Sequence, residues 1–293
     1  MMIVISLAQP SLQLTQYVDD PDSCAIIGDG DVYGIGVRLG YYCAWFSGLL
    51  AVAFNDAKAV RDARKGVCII SLAVLAILIR NTLNGSFAVL EWTLVLPMVI
   101  YAPFGVLVVA SLASKDDALG GALSLLLMGL GQILQPWLYF TLARQGYRPG
   151  CEVRIFFFAY FDFYNKPWQG FLKAMAVLYC LLGSLLIYLA GKGFWAVLRG
   201  QEAVPYPDEP SAHEGPGNYL RRSAAKVFTF AILAPAGIVT IITGEKVLSG
   251  NSIDLSDSPL GSSSQLIPLI VGLTGLSSTA WSVTVGKYMS DRV

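Results

Sequence analysis

Residues 88–112 read AVLEWTLVLPMVIYAPFGVLVVASL, and this stretch decides the fold. It is 25 residues long and carries one charged side chain, Glu91, near its start. About 20 apolar residues in helical form cross a hydrocarbon core of about 30 Å. A lone segment in that core must satisfy its backbone N–H and C=O groups internally, which a helix does. Working outward, six further stretches of similar character lie near 35–54, 67–83, 119–143, 171–190, 224–243 and 265–285. The 293-residue chain is 55% hydrophobic and only 14% charged, with a mean hydropathy of +0.60. Soluble domains carry about 25% charged residues, so this composition cannot cover a globular surface. The sequence predicts an all-α membrane protein, a bundle of about seven transmembrane helices over 35–285, with an amino-terminal segment 1–34 and a tail 286–293.

Orientation follows from the basic residues, which are retained in the cytosol when they flank spans. The first 37 residues contain no Lys or Arg, and the first connection holds Lys58, Arg61, Arg64 and Lys65. Outside the spans' interiors, twelve basic residues fall on that side and seven on the other. The amino terminus is therefore expected on the non-cytosolic side and the carboxyl terminus in the cytosol. The start, MMIVISLAQP, lacks the basic n-region of a signal peptide and is expected to be retained. Residues 191–223 crowd Pro, Gly and acidic residues after Arg199 and read as a flexible cytosolic loop. Residues 153–164, VRIFFFAYFDFY, are too short to span and read as an interfacial or re-entrant piece, with a buried eighth segment as the alternative.

Cys24 is followed by Gly28, Asp29, Gly30, Asp31, Tyr33, Gly34, Gly36, Arg38, Gly40 and Tyr41, in the run CAIIGDGDVYGIGVRLGYY. This resembles the amino-terminal signature of an uncharacterised family of multi-span integral membrane proteins of filamentous fungi. Cys151 before Phe156, Phe157, Phe158 and Ala159 resembles a second segment of that family. The resemblance implies a fungal membrane protein and implies no activity.

Within the signature, Asp29 or Asp31 is suited to cap the outer end of the first helix. Gly34, Gly36 and Gly40 leave a narrow face for a neighbouring helix. Arg38 lies about one turn inside the first span, where it must snorkel, pair with an acid or contact a ligand. Arg80, Glu91, Asp162 and Glu245 fall at the same end of their helices. That pattern suits an outward-facing vestibule in which Arg38 and Arg80 pair with Glu91, Glu245 or Asp31. The plainer reading is that each marks a span boundary. Gln132 and Gln135 share one face of the fourth span and are placed to bond Ser277, Ser278 or Thr279, or to line a polar pocket for a lipophilic ligand. Pro97, Pro103, Pro136, Pro235 and Pro268 interrupt spans, as prolines commonly do in membranes.

The only histidine, His213, lies in the polar loop, so neither a Ser-His or Cys-His pair nor a histidine metal site is expected within the membrane. No cofactor is expected, and the sequence contains no G-x-x-x-x-G-K-[ST] loop. Cys43, Cys68 and Cys180 are isolated in spans, which leaves Cys24 and Cys151 as an expected disulfide on the non-cytosolic side. Asn84 begins an N-x-S triplet too close to two spans for a glycan to be expected. The expected partners are the lipid bilayer and a small lipophilic molecule, not nucleic acid. A membrane enzyme using carboxylates on a lipophilic substrate, in the manner of terpene cyclases, a small-molecule transporter, a seven-span receptor and a structural protein all remain open at this point.

Overall fold

The computed structural model describes residues 26, 28–54, 56–85, 87–113, 118–143, 150–199, 223–224, 226–251, 253–255 and 260–290. Among them, in chain order, lie α1 (Gly30–Tyr33), α2 (Ile35–Phe54), α3 (Ala57–Leu83), α4 (Val89–Leu96), α5 (Ala102–Ala113) and α6 (Ala118–Pro136). A hairpin of β1 (Arg154–Phe157) and β2 (Ala159–Asp162) precedes α7 (Lys166–Leu198), α8 (Ala234–Gly250) and α9 (Ser263–Ser290). Seven helical segments of the described residues are long and apolar enough to cross a membrane: Gly30–Phe54, Lys58–Leu83, Val89–Val109, Leu119–Thr141, Lys166–Leu198, Lys226–Gly250 and Ser263–Val285. The chain is an integral membrane protein of the all-α class, a seven-helix bundle with one small hairpin at its end.

Two boundaries differ from the sequence reading. α3 begins within the charged run rather than after it, because the Asp56 carboxylate accepts the N–H of Ala59 at 2.9 Å and caps the helix there. α7 continues to Leu198, so residues 191–198 are helix and not loop. Lys192 lies over the Tyr188 ring at 5.0 Å and the Arg199 guanidinium over Trp195 at 4.9 Å, contacts that hold this last stretch together. The remainder of the expected loop, residues 200–222, lies outside the described residues, as does His213. With 33 residues α7 is about 50 Å long, well beyond the hydrocarbon thickness.

The prolines act through widened turns. Pro97–Tyr101 and Thr229–Leu233 are π turns, and each ends two residues before a proline, Pro103 and Pro235. A proline has no N–H to give and its ring pushes away the carbonyl one turn back, so the preceding turn widens to a longer-range bond. In these turns the N–H of Ala102 bonds the Pro97 carbonyl and that of Ala234 bonds the Thr229 carbonyl. A third π turn, Trp137–Thr141, follows Pro136.

Small residues set the closest crossings. A Cβ on Gly40 would lie 2.4 Å from the Pro268 carbonyl oxygen, and one on Gly272 would lie 2.4 Å from that of Gly40, so α2 and α9 touch backbone to backbone. Gly129 of α6 and Gly183 of α7 meet in the same way, at 2.9 and 2.8 Å. α7 buries Ala176, Gly183 and Ala190, a stripe one residue wide at every second turn, and turns the rest of its surface outward. Tyr33 of α1, Leu78 of α3, Phe87 just before α4, Trp92 of α4, and Phe104 and Leu107 of α5 are fully buried.

Candidate functional site

Of the expected charged residues, Arg38 at the start of α2, Glu91 at the start of α4 and Glu245 on α8 take part in two polar clasps. In the first, Arg38 of α2 pairs with Glu245 of α8 through Nη1 and Oε2. The Tyr42 hydroxyl donates to the other carboxylate oxygen at 2.7 Å. Arg38 is 8% exposed, so the acid that meets it is what allows its charge at that depth. In the second, the Tyr33 hydroxyl donates to Glu91 Oε1 at 2.5 Å, and the N–H of Ala88 donates to Oε2 at 2.6 Å. Glu91 is 4% exposed and both its oxygens are held by donors from within the protein.

Asp29 connects the second clasp to α3. Its side chain accepts the N–H of Asp31 at 3.0 Å and the Asn81 amide at 2.7 Å, while its own N–H donates to the Tyr33 hydroxyl at 3.1 Å. Burial raises the Asp29 carboxyl above its ordinary value, and the bond from Asp31 opposes that rise. Gln265, buried at the start of α9, accepts the N–H of Gly36 at 2.9 Å and so satisfies one of the free donors of the first turn of α2. The N–H of Gly28 donates to the Asp254 carbonyl and the N–H of Asp254 to the Ile26 carbonyl, each at 2.9 Å, which ties the chain before α1 to the chain after α8.

Of the residues expected to form a vestibule, Arg38 and Glu245 are brought together. Glu91 meets a phenol rather than an arginine. Arg80 is exposed and makes no ion pair among the described residues. Asp31 is exposed on the first turn of α1, and Asp162 closes the hairpin by accepting the N–H of Tyr164 at 3.0 Å. Residues 153–164 are neither a span nor a helix: β1 and β2 pair antiparallel with Phe156 opposite Tyr160, and Phe158 forms the tip. The Asn251 amide docks this hairpin to the end of α8, accepting the N–H of Arg154 and donating to its carbonyl, both at 2.6 Å. Gln135 bonds the Tyr101 hydroxyl at 2.9 Å, and Thr279 bonds Ser47 at 2.7 Å, so the expected contact between the glutamines and the seventh span does not form. Tyr33, Tyr42, Asn81, Asn251 and Gln265 are the partners that sequence reasoning missed. Each is a common polar residue with no spacing that marks it.

Among the described residues, a cleft lies at the opposite end of the bundle, between the start of α3 and the far half of α9. It encloses about 750 Å³. Lys58, Asp62 and Ser282 border its outer part, and Ile270, Val271 and Trp281 form an apolar wall. Gly66 and Gly275 lie on its two sides, and a Cβ on either would meet no atom within 4 Å. A smaller cavity of about 40 Å³ shares Asp62, Gly66, Val271 and Gly275 with the cleft and continues toward Ser47 of α2. Sequence reading gave no hint of this cleft, because its walls are the glycines, alanines and serines of ordinary membrane helices.

Among the described residues no three of His, Cys, Asp and Glu gather as a metal site would require. Among the described residues, Cys43, Cys68 and Cys180 form no disulfide. Cys24 lies outside the described residues, and with it the expected pairing to Cys151. Asn84 ends α3 in a turn, and Ser86 of its triplet is not described. Comparison with protein-family models, curated proteins and solved structures found no match to this chain.

Proposed function

We propose that this protein binds one amphiphilic molecule of lipid size, taken laterally from the bilayer into the cleft between α3 and α9. The observation that carries the reading is the open space facing Gly66 and Gly275 in a cleft of about 750 Å³. Ligand sites are commonly about 300–1,000 Å³, mostly apolar with a few polar groups. The cleft has that division along its length. The charged first turns of α3, from Lys58 to Lys65, stand at the membrane boundary, whereas Ile270 and Val271 face the hydrocarbon. From Ile270 to Val285 the cleft follows α9 for about 22 Å, enough for the polar end and much of the tail of an amphiphile.

The polar clasps at the other end support binding rather than acid catalysis, since each oxygen of Glu91 and Glu245 is engaged by a neighbour in the fold. The same reading keeps the amino terminus on the non-cytosolic side and the end bearing Lys58, Arg61, Arg64 and Lys65 in the cytosol, in line with the charge bias. A diazirine-bearing fatty acid, flashed in proteoliposomes and mapped by peptide mass spectrometry, tests the site. Label is expected on residues of α3 and α9 and to fall at least threefold in Gly66→Phe, where there is room for the new side chain to start. Labelling spread evenly over all lipid-facing helices, unchanged in Gly66→Phe, would remove the proposal.

A further inference from the structure

Away from the cleft and the clasps, α2 buries two polar groups that the fold does not satisfy. Tyr41 and Trp45 lie one turn apart on α2 and are 3% and 8% exposed. The Tyr41 hydroxyl and the Trp45 indole N–H have no hydrogen-bond partner among the described residues. Phenol and indole groups usually find one when buried. Both residues line a cavity of about 10 Å³, which Met98, Ala102, Gly237 and Thr240 also border. Gly237 lets the indole in: a Cβ there would lie 2.5 Å from the Trp45 nitrogen, so this edge of the ring rests on bare backbone of α8.

The widened turn before α5 supplies an acceptor at the same place. In a regular helix the Met98 carbonyl would take the N–H of residue 102, but the N–H of Ala102 bonds the Pro97 carbonyl instead. The next residue, Pro103, has no N–H to offer. The neighbouring carbonyl, that of Val99, is met by the Ser71 hydroxyl at 2.9 Å. No side chain among the described residues does the same for Met98.

We infer that this cavity binds one water molecule, which accepts from Trp45 Nε1, donates to the Met98 carbonyl and shares a hydrogen bond with the Tyr41 hydroxyl. A space of about 10–15 Å³ holds one water, and a buried water makes about three hydrogen bonds. Ordered water is also one of the means by which carbonyls freed by proline are satisfied inside membranes. The site is too small for a lipid chain and, with three polar groups around it, unlike the apolar cavities that stay dry. Gly237 lies eight residues from Glu245 on α8, about 12 Å along the helix. α2 thus has polar ties at two depths, the ion pair to α8 near the outer end and the bound water to the third span further in.

The experiment is radiolytic hydroxyl labelling of the full chain in nanodiscs, read residue by residue by peptide mass spectrometry. Radicals formed from a bound water mark the side chains that hold it, although bulk solvent does not reach them. Tyr33 is the internal reference, since it is as deeply buried but its hydroxyl bonds Glu91. Tyr41 is expected to be labelled several-fold faster than Tyr33, with oxidation of Met98 alongside. Ala102→Val fills the cavity and should bring Tyr41 down to the rate of Tyr33. Equal rates at Tyr41 and Tyr33 in the wild type overturn the site, and that comparison needs no variant to fold. A fast rate at Tyr41 that persists in folded Ala102→Val assigns the label to bulk water and overturns it as well.

Discussion

Arg38 near the start of α2 is joined to Glu245 near the end of α8 by an ion pair that spans 207 positions of sequence. The guanidinium is nearly buried, while about half of the carboxylate side chain is exposed. Their roles are therefore unequal. Loss of the acid strands a buried cation, whereas loss of the arginine leaves a carboxylate that water and Tyr42 still satisfy. Glu245→Gln is expected to lower stability by about 2 kcal/mol, the scale for a buried charged group left short of a partner. Arg38→Leu is expected to cost clearly less. Thermal unfolding of both variants in one detergent measures the difference, and equal losses would contradict the asymmetry.

Tyr33 and Glu91 make a second unit whose parts depend on each other. Tyr33→Phe removes one of the two donors to a buried carboxylate, and Glu91→Gln turns an amide toward one of them. Each change should cost about 1–3 kcal/mol. The double variant should cost distinctly less than their sum, because the second change removes a partner that the first has already stranded. Additive losses would show that the two groups act independently.

The hairpin should rest in the membrane interface. Phe158 is 80% exposed at its tip with a φ of 62°, a backbone conformation that phenylalanine seldom adopts. Behind it Phe161 stacks on Trp168 at 5.4 Å, and Trp168 reaches Phe171 at 5.3 Å, where the exposed face of α7 begins. The aromatic surface is thus continuous with the lipid-facing helix, as in an interfacial belt. A spin label on Phe158→Cys, with Cys43, Cys68 and Cys180 replaced by alanine, should relax strongly with oxygen and weakly with a water-soluble nickel complex. The reverse order would place the tip in water.

Topology and the expected Cys24–Cys151 disulfide form one prediction. With Cys43, Cys68 and Cys180 within spans and outside any disulfide, only those two cysteines remain to pair. An epitope after Val293 should be protected in intact cells, and non-reduced peptide mapping should recover Cys24 linked to Cys151 on the opposite side. Surface labelling of that epitope, or alkylation of both cysteines without reduction, would refute the arrangement.

The spans were legible because apolar length is local: each stretch reports its own membrane crossing, and the glycines Gly36 and Gly40 marked a close helix contact that α9 fills. Residues 191–198 were misread because two glycines and a nearby polar run masked a helix end that ring contacts stabilise. For residues 153–164 the sequence left the conformation open, between an interfacial or re-entrant piece and a buried segment. Their composition suits a span, a strand or an interface equally, and what decides is Asn251, about 97 positions away. Arg38 was recognisable as a residue in need of an acid, but no local pattern distinguishes Glu245 from Glu91 as that acid. The cleft was invisible, since it is defined by what two distant helices leave unfilled.

The most direct measurement of the central claim is a cryo-electron microscopy reconstruction of the chain in lipid nanodiscs, resolved well enough to see acyl chains. A bound amphiphile gives a rod of density between α3 and α9, running past Gly66 and Gly275 and ending near the charged first turns of α3. A map in which side chains of α3 and α9 close over that space, or in which it holds nothing more ordered than the surrounding bilayer, would contradict it.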